Sequence, residues 1–377
     1  MSNYKLEDIS WVTIETTNIC NMTCDYCPKS LDIFNHRKIG IDILYKDAFI
    51  KIIDFLPNLP NLKFVTLTDF NEFFQTPELT TFYLPELKKR GIPYLIASNG
   101  SVKPKNIEYY IENPPKYLVL GLQTITEHQF YSNNRLKNTS WNEYLETFSE
   151  IVKFFYNNCK STLISIEIAT NPTNNLFHKV TRSVENKNIP SESDQIKNIP
   201  YFLSDLSEFT GINFELGDVN EGRFSSQRVV AKTNDERIIF GLKEFVDINN
   251  FYSNIPTNYN PTCFTDSITF DAEGNVKMCC IDYKNSTEFA KIESETMSDI
   301  FDKYITLVDT MRSEGSPFAD CRNCKGFKSK TEKILSIRKN YYPMFVRKFP
   351  SLRKIKNFLV IDLLKNFNHF FYFFYFF

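Results

Sequence analysis

Short apolar runs alternate with amphipathic stretches through the first half of the chain, and that alternation predicts β/α repeats. Residues 11–15, 63–68, 93–97, 117–122, 163–169 and 211–216 are each rich in Val, Ile, Leu or aromatic residues and read as strands. Between them, 42–56 places Leu44, Ala48, Ile52 and Phe55 on one helical face. Residues 77–90 run into Gly91, a helix stop, and 141–157 carries Tyr144, Phe148, Ile151 and Phe155 at helical spacing. Six such repeats predict an α/β fold with a parallel sheet, open or curled into a partial TIM-like barrel, and a site at the carboxyl ends of the strands. Residues 171–210, rich in Asn and Ser, read as an insertion, partly loop.

The pattern changes after Gly222. Residues 235–249 read as one linking helix. Beyond it, 268–270 and 276–279 flank Asp271-Ala272-Glu273-Gly274-Asn275 as a β-hairpin. Ser298 is the expected cap of a helix bearing Ile300, Phe301, Tyr304, Val308 and Met311 and stopping near Gly315. The expected domains are therefore a partial barrel over 1–225, a linker helix over 226–262, a small α+β unit over 263–327 and a tail over 328–377.

Composition narrows the chemistry. Lys and Arg number 44 against 45 Asp and Glu, which argues against a nucleic-acid partner. The four His form no zinc-binding pair, and the eleven Gly include no GxGxxG, P-loop or GxSxG arrangement. The first ten residues hold no apolar signal core, so a cytoplasmic location is expected, where the nine Cys would stay reduced and serve metals rather than disulfides.

The cysteines fall into two groups with Cys159 between them. The first, Cys20-Asn-Met-Thr-Cys24-Asp-Tyr-Cys27, follows the first expected strand. A structural zinc site closes four ligands, whereas a [4Fe–4S] cluster on three thiolates keeps one iron open. This loop resembles the radical S-adenosylmethionine (SAM) superfamily, whose C-x3-C-x-Φ-C motif has an aromatic residue where Tyr26 stands. The resemblance extends over roughly the first 220 residues, following the β/α order. Asp69-Phe-Asn71-Glu72-Phe73 falls in the place of the GGEP-type motif, Ala97-Ser98-Asn99-Gly100 in that of the TNG-type turn, and Gln123 and Arg135 in those of the polar fourth-strand residues. It implies a [4Fe–4S] cluster on Cys20, Cys24 and Cys27, SAM as cofactor, and reductive cleavage of SAM to a 5′-deoxyadenosyl radical. It also implies SAM contacts from Tyr26 to the adenine, from Glu72 or the backbone of 70–73 to the methionine amino group, and from Asn99, Gln123 and Arg135 nearby. Asp69, Asn71 and Phe73 depart from the family's glycines and proline.

The second group is Cys263, then Gly274 and Cys279, then Cys321-Arg-Asn-Cys324. Four cysteines split this way can close a tetrahedral set, for structural zinc or for an iron–sulfur cluster. The spacing resembles the SPASM/twitch extensions of radical SAM enzymes. That resemblance implies a small C-terminal iron–sulfur domain with an auxiliary [4Fe–4S] cluster on Cys263, Cys279, Cys321 and Cys324, closed to substrate and suited to electron transfer. Cys280 and Cys159 then read as buried spare thiols. The activity implied is oxidation of a small-molecule, glycan or peptide substrate, with an external electron donor such as flavodoxin or ferredoxin. No catalytic residue is singled out; Glu167, Asp218 and Asp282 are the acids available for proton transfer. Two alternatives stay open: a catalytically silent iron–sulfur scaffold, and a peptide- or protein-modifying maturase. In the tail, Arg347, Lys348, Arg353, Lys354 and Lys356 precede an aromatic run, a pattern that suits peripheral membrane contact.

Overall fold

The computed structural model describes residues 4–24, 27, 44–67, 71–76, 78–122, 124–132, 136, 138–171, 189–219, 228–244, 267–279, 282 and 284–319. Among them, eleven strands share one sheet: β1 (Trp11–Ile14), β2 (Phe64–Thr66), β3 (Tyr94–Ser98), β4 (Tyr117–Leu122), β5 (Leu163–Thr170), β6 (Glu215–Val219), β7 (Arg228–Lys232), β8 (Ile238–Glu244), β9 (Ser267–Phe270), β10 (Asn275–Lys277) and β11 (Glu288–Lys291). The spatial order is β11-β10-β9-β1-β2-β3-β4-β5-β8-β7-β6. From β9 to β8 every pairing is parallel. Antiparallel strands finish the two ends, so the sheet is open rather than a closed barrel. This is an α/β fold of the partial TIM-like kind.

The helices are α1 (Lys46–Phe55), α2 (Leu84–Lys89) continuing a π turn over Leu79–Tyr83, α3 (Tyr109–Glu112), α4 (Glu127–Ser132), α5 (Trp141–Asn158), α6 (Glu192–Thr210) and α7 (Met297–Ser313). Strands β1 to β5 and then β8 lie in chain order, and right-handed crossovers between such strands put all intervening helices on one face. That face carries Val12, Ile14, Val65, Ile96, Leu118, Leu120, Leu122, Ile164, Ile166, Ile168, Phe240 and Leu242, all buried. Helix α5 shows why these segments fold locally. Ser140 and Glu143 form a reciprocal capping box at its start, and Tyr144, Phe148, Ile151 and Phe155 turn toward the sheet. The opposite face differs: Trp11, Phe64, Tyr117, Val119, Gly121 and Glu167 are only half-buried. At its amino end Trp11 stacks on Phe64 at 6.2 Å, and Phe64 meets Tyr117 edge-on at 5.4 Å.

Several expectations change. The sixth parallel strand is β8, not residues 211–216; the strand in that region, β6, is an antiparallel edge with Leu216 exposed. The linker helix expected over 235–249 gives way to β8 at Ile238–Glu244. A strand buried on both faces reads as an unbroken apolar run, and Ile238-Ile239-Phe240 with Leu242 lacks the polar alternation that separates strand from helix. The hairpin expected as part of a separate unit instead extends the main sheet, since β9 pairs with β1 along Trp11–Ile14. Helix α7 joins the same core: Phe301 stacks on Phe55 of α1 at 4.6 Å and lies 6.3 Å from Phe270. Its cap is Thr296 rather than Ser298, the Thr296 hydroxyl accepting from the Asp299 amide. Half of the expected insertion is α6, capped by Ser191 and ended by Gly211 at φ +70°. Its Ile199, Phe202, Leu203 and Leu206 are buried at helical spacing behind an interior Pro200.

A central-strand role for β8 sets a measurable cost. Phe240→Ala, which empties a fully buried site, should lower unfolding free energy by about 3–5 kcal/mol in denaturant titration. A cost under about 1 kcal/mol would return this segment to a surface helix.

Candidate active site at the carboxyl ends of β1, β2 and β3

The cysteine loop grows from a rigid root. Past β1, Glu15, Thr16, Thr17 and Asn18 are fully buried. The Glu15 amide donates to the Phe270 carbonyl at 2.8 Å, and its carboxylate accepts from the Ala272 amide at 3.2 Å, so the root is fastened to the turn after β9. The Leu44 amide donates to the Thr16 carbonyl at 2.9 Å, and the Ile19 amide to the Thr17 hydroxyl at 3.2 Å. From there the chain reaches Cys20, half-buried, Cys24, buried, and Cys27, half-buried. The Cys27 amide donates to the Cys24 carbonyl at 2.9 Å, and the Cys24 and Met22 sulfurs are 4.0 Å apart.

Glu72 joins the loop after β2 to its neighbours on both sides. Its amide donates to the Ile19 carbonyl at 2.8 Å. Its carboxylate, wholly buried, accepts from the Phe74 amide at 3.1 Å, the Ser98 hydroxyl at 2.7 Å and the Asn99 amide at 2.8 Å. Burial pushes its pKa up to about 7, against the opposing pull of those three donors. Asn99 continues the chain of bonds. Its side-chain amide donates to Asn21 Oδ1 at 3.1 Å, the Asn21 amide donates to the Ser101 hydroxyl at 2.9 Å, and the Ser101 amide donates to Asn99 Oδ1 at 2.9 Å. A three-residue clasp thus holds the first residues of the cysteine loop against the turn after β3. Gly100 completes that turn at φ +71°; a Cβ there would lie 2.4 Å from the Phe148 ring, so the position needs glycine on two counts.

Glu72 and Asn99, expected as SAM contacts, therefore have their side chains bonded within the protein, where they position the loops. Asn71 sits beside them with both amide atoms buried and without a partner among the described residues. A buried amide left unpaired costs about 1–3 kcal/mol per group. Sequence reasoning gave no role to Asn21, Ser98 or Ser101; the first two stand between residues of a motif, Ser101 directly after one, and none carries a signal of its own.

The remaining expected site residues divide simply. Tyr26, Gln123, Arg135, Cys263, Cys280, Cys321 and Cys324 lie outside the described residues. Cys279 is half-buried just beyond β10. Its loop is braced by Asp282, whose carboxylate accepts from the Lys284, Ser286 and Thr287 amides and from the Ser286 and Thr287 hydroxyls. The Asp282 carboxylate is thereby engaged by the donors of its own loop. Cys159 is buried, its thiol facing the Tyr110 carbonyl at 3.3 Å and pushed up to about 11 by burial.

Among the described residues, no three His, Cys, Asp or Glu side chains stand gathered for a metal ion. The donor set on the cysteine loop nevertheless fits an iron–sulfur cluster, with three thiols within eight residues on a braced root. Convergence of such thiols is coupled to metal binding itself.

Residues 14–170 match the model of the Radical SAM superfamily. That match covers somewhat under half of the chain. Such a domain implies a [4Fe–4S] cluster and SAM. Among curated proteins none matches the chain. Solved structures similar to it include native anSMEcpe with bound AdoMet, 12% identical over 92% of this chain and 99% of that one, with a TM-score of 0.49. BtrN in complex with AdoMet and 2-DOIA is 13% identical over 81% and 88%, with a TM-score of 0.43. Streptococcus suis SuiB bound to its precursor peptide SuiA is 12% identical over 83% and 75%, with a TM-score of 0.45.

Two outcomes follow for this site. Asn21→Ala, which opens the clasp without touching a thiol, should speed chelator-driven iron loss from reconstituted protein several-fold; an unchanged rate would show that the clasp does not hold the loop. Glu72 has a folded-state pKa raised above its unfolded value, so the native state binds the extra proton and stability falls as pH rises from about 4.5 to about 7. Glu72→Gln should remove that slope, changing the difference in unfolding free energy by up to ~3 kcal/mol across the window in parallel pH-dependent denaturations.

Proposed function

We propose that the chain is a radical SAM oxidoreductase that takes hydrogen from a carbon of a sugar-like or peptide substrate. The observation carrying this reading is the Cys20-x3-Cys24-x2-Cys27 loop, rooted at the carboxyl end of β1 inside the radical SAM match and bonded to the loops after β2 and β3. When bound, the cluster, which Cys20, Cys24 and Cys27 would hold, would supply reductive activation of SAM for hydrogen abstraction from the substrate, its electron coming from an outside donor such as flavodoxin or ferredoxin.

The protein's own part is to bind, orient and exclude water. Tyr26 seats the adenine, and Gln123 and Arg135 serve the ribose or carboxylate. The backbone of 70–73 would serve the methionine amino group, and the Asn71 amide, without a partner among the described residues, offers a donor and an acceptor. Glu72 and the Asn21–Asn99–Ser101 clasp position these loops. Oxidation by two electrons needs an acceptor for the second, and an auxiliary [4Fe–4S] cluster on Cys263, Cys279, Cys321 and Cys324 suits that role. A peptide-modifying maturase would use the same site and differ only in substrate.

A second reading, an iron–sulfur scaffold without catalysis, is favoured by the replacement of the family's glycines and proline with Asp69, Asn71 and Phe73. The two separate cleanly. Anaerobic reconstitution should load about eight irons per chain, calorimetry should show SAM binding, and SAM with reductant should yield 5′-deoxyadenosine. Zinc in place of iron, or a fully loaded protein that neither binds nor cleaves SAM, would overturn the enzymatic reading.

A further inference from the structure

A groove of about 880 Å³ opens along the outer side of α7. One wall is a single face of that helix, with Asp299, Asp302, Lys303, Thr306 and Leu307 at i, i+3, i+4, i+7 and i+8. Phe289 of β11 and Glu295, from the loop leading into α7, form the other. Phe289 and Leu307 are half-buried and packed against the core, and the Phe289 ring lies 6.2 Å from that of Tyr304, so the floor is apolar. Lys51 of α1 donates to the Ile292 and Glu295 carbonyls at 2.5 Å each, which holds the loop in place.

The charge of the groove is unbalanced. Three acids, Glu295, Asp299 and Asp302, meet one base, Lys303, whose Nζ lies 2.5 Å from Glu295 Oε2. The Asp299 carboxylate accepts from the Thr296 hydroxyl at 2.6 Å, a neutral donor that leaves the charge in place. Among the described residues neither Asp299 nor Asp302 has an ion-pair partner. An apolar floor beside uncompensated carboxylates matches an occupant that is apolar and basic at once. A neutral apolar occupant would take water from the carboxylates and return nothing, and an acidic one would add like charge.

This chain carries a segment of that chemistry. Residues 345–361 contain Arg347, Lys348, Arg353, Lys354 and Lys356 and no acid, and Leu352, Ile355 and Leu359 recur among them at helical spacing. The described chain leaves the core at Phe318, just past the carboxyl end of α7. Asp299, at the far end of the groove, stands about 21 Å along the helix from Ser313. The roughly 26 residues between Ala319 and Phe345 span, as a flexible chain, roughly 25–30 Å. The segment therefore reaches the whole groove from its own chain.

We infer that residues 345–361 dock in the groove between α7 and β11 of the same chain, their apolar side chains on Phe289 and Leu307 and their bases against Glu295, Asp299 and Asp302. The docking stands apart from the radical SAM reading and occupies the basic segment, so that it is withdrawn from other anionic surfaces.

The test uses the full chain with the photo-crosslinker p-benzoylphenylalanine in place of Ile355, irradiated in dilute solution and mapped by mass spectrometry. The crosslink should fall within residues 289–307 of the same chain and weaken as salt is raised. Asp302→Lys with Thr306→Lys, on the exposed side of α7, should cut its yield at least five-fold. Arg353→Glu with Lys354→Glu should do the same, and all four together should restore it. If the groove variant loses its circular dichroism, the tail variant decides. A crosslink elsewhere in the chain, no crosslink, or a yield untouched by the charge reversals would overturn the inference. A product of twice the chain mass would assign the groove to a second copy's tail and overturn it too. So would co-flotation with phosphatidylserine vesicles by a chain that forms no groove crosslink, which would give the segment to a lipid surface.

Discussion

A parallel sheet whose strands follow one another in chain order gives its helices a single side to occupy. Each crossover is right-handed, so β1 through β5 and then β8 place their intervening helices on one face. The two faces then diverge in composition. One is a continuous layer of Val, Ile, Leu and Phe pressed against the helices; the other starts at the aromatic row of Trp11, Phe64 and Tyr117 and becomes small and polar toward the carboxyl ends. Because every parallel strand ends at the same edge, the cysteine loop, the Glu72 loop, the Asn99 turn and the Glu167–Lys243 pair are brought to one end of the molecule.

At that end a buried carboxylate does the work of a brace. Placing Glu72 out of water disfavours its charge, as its raised pKa records. Three donors from two loops offset part of that cost and are located by it. The same device recurs on a smaller scale in Asp282, whose five donors fix the loop that carries Cys279. In both places the acid shapes backbone beside a neighbouring thiol. A reader of the sequence alone meets Glu72 and Asp282 as acids near candidate ligands, and proximity along the chain does not distinguish a brace from a base.

The first five strands and helices α1 and α5 were legible because their periodicities are clean: a short apolar run for each strand, and Phe148, Ile151 and Phe155 stacked at helical spacing in α5. Strand β8 was not, since a run buried on both faces has no alternation to read. Helix α6 was hidden by Pro200 and by the polar residues ahead of it. Within the site, the three cysteines announced themselves by spacing. Asn21 and Ser101 did not, because their function consists of bonds to residues about eighty positions apart in the chain.

The sequence by itself determined the chemistry: three thiols at C-x3-C-x2-C spacing inside a β/α pattern, a combination that local residue types specify completely. Only the tertiary structure decided the partners. Which strand stands sixth in the parallel sheet, that β9 pairs with β1, and that Gly121 and Gly241 flank Glu167 all depend on strand register. Register is fixed by the packing of one face against the helices and the bonding of each strand to its neighbours, and neither is a property of any segment taken alone.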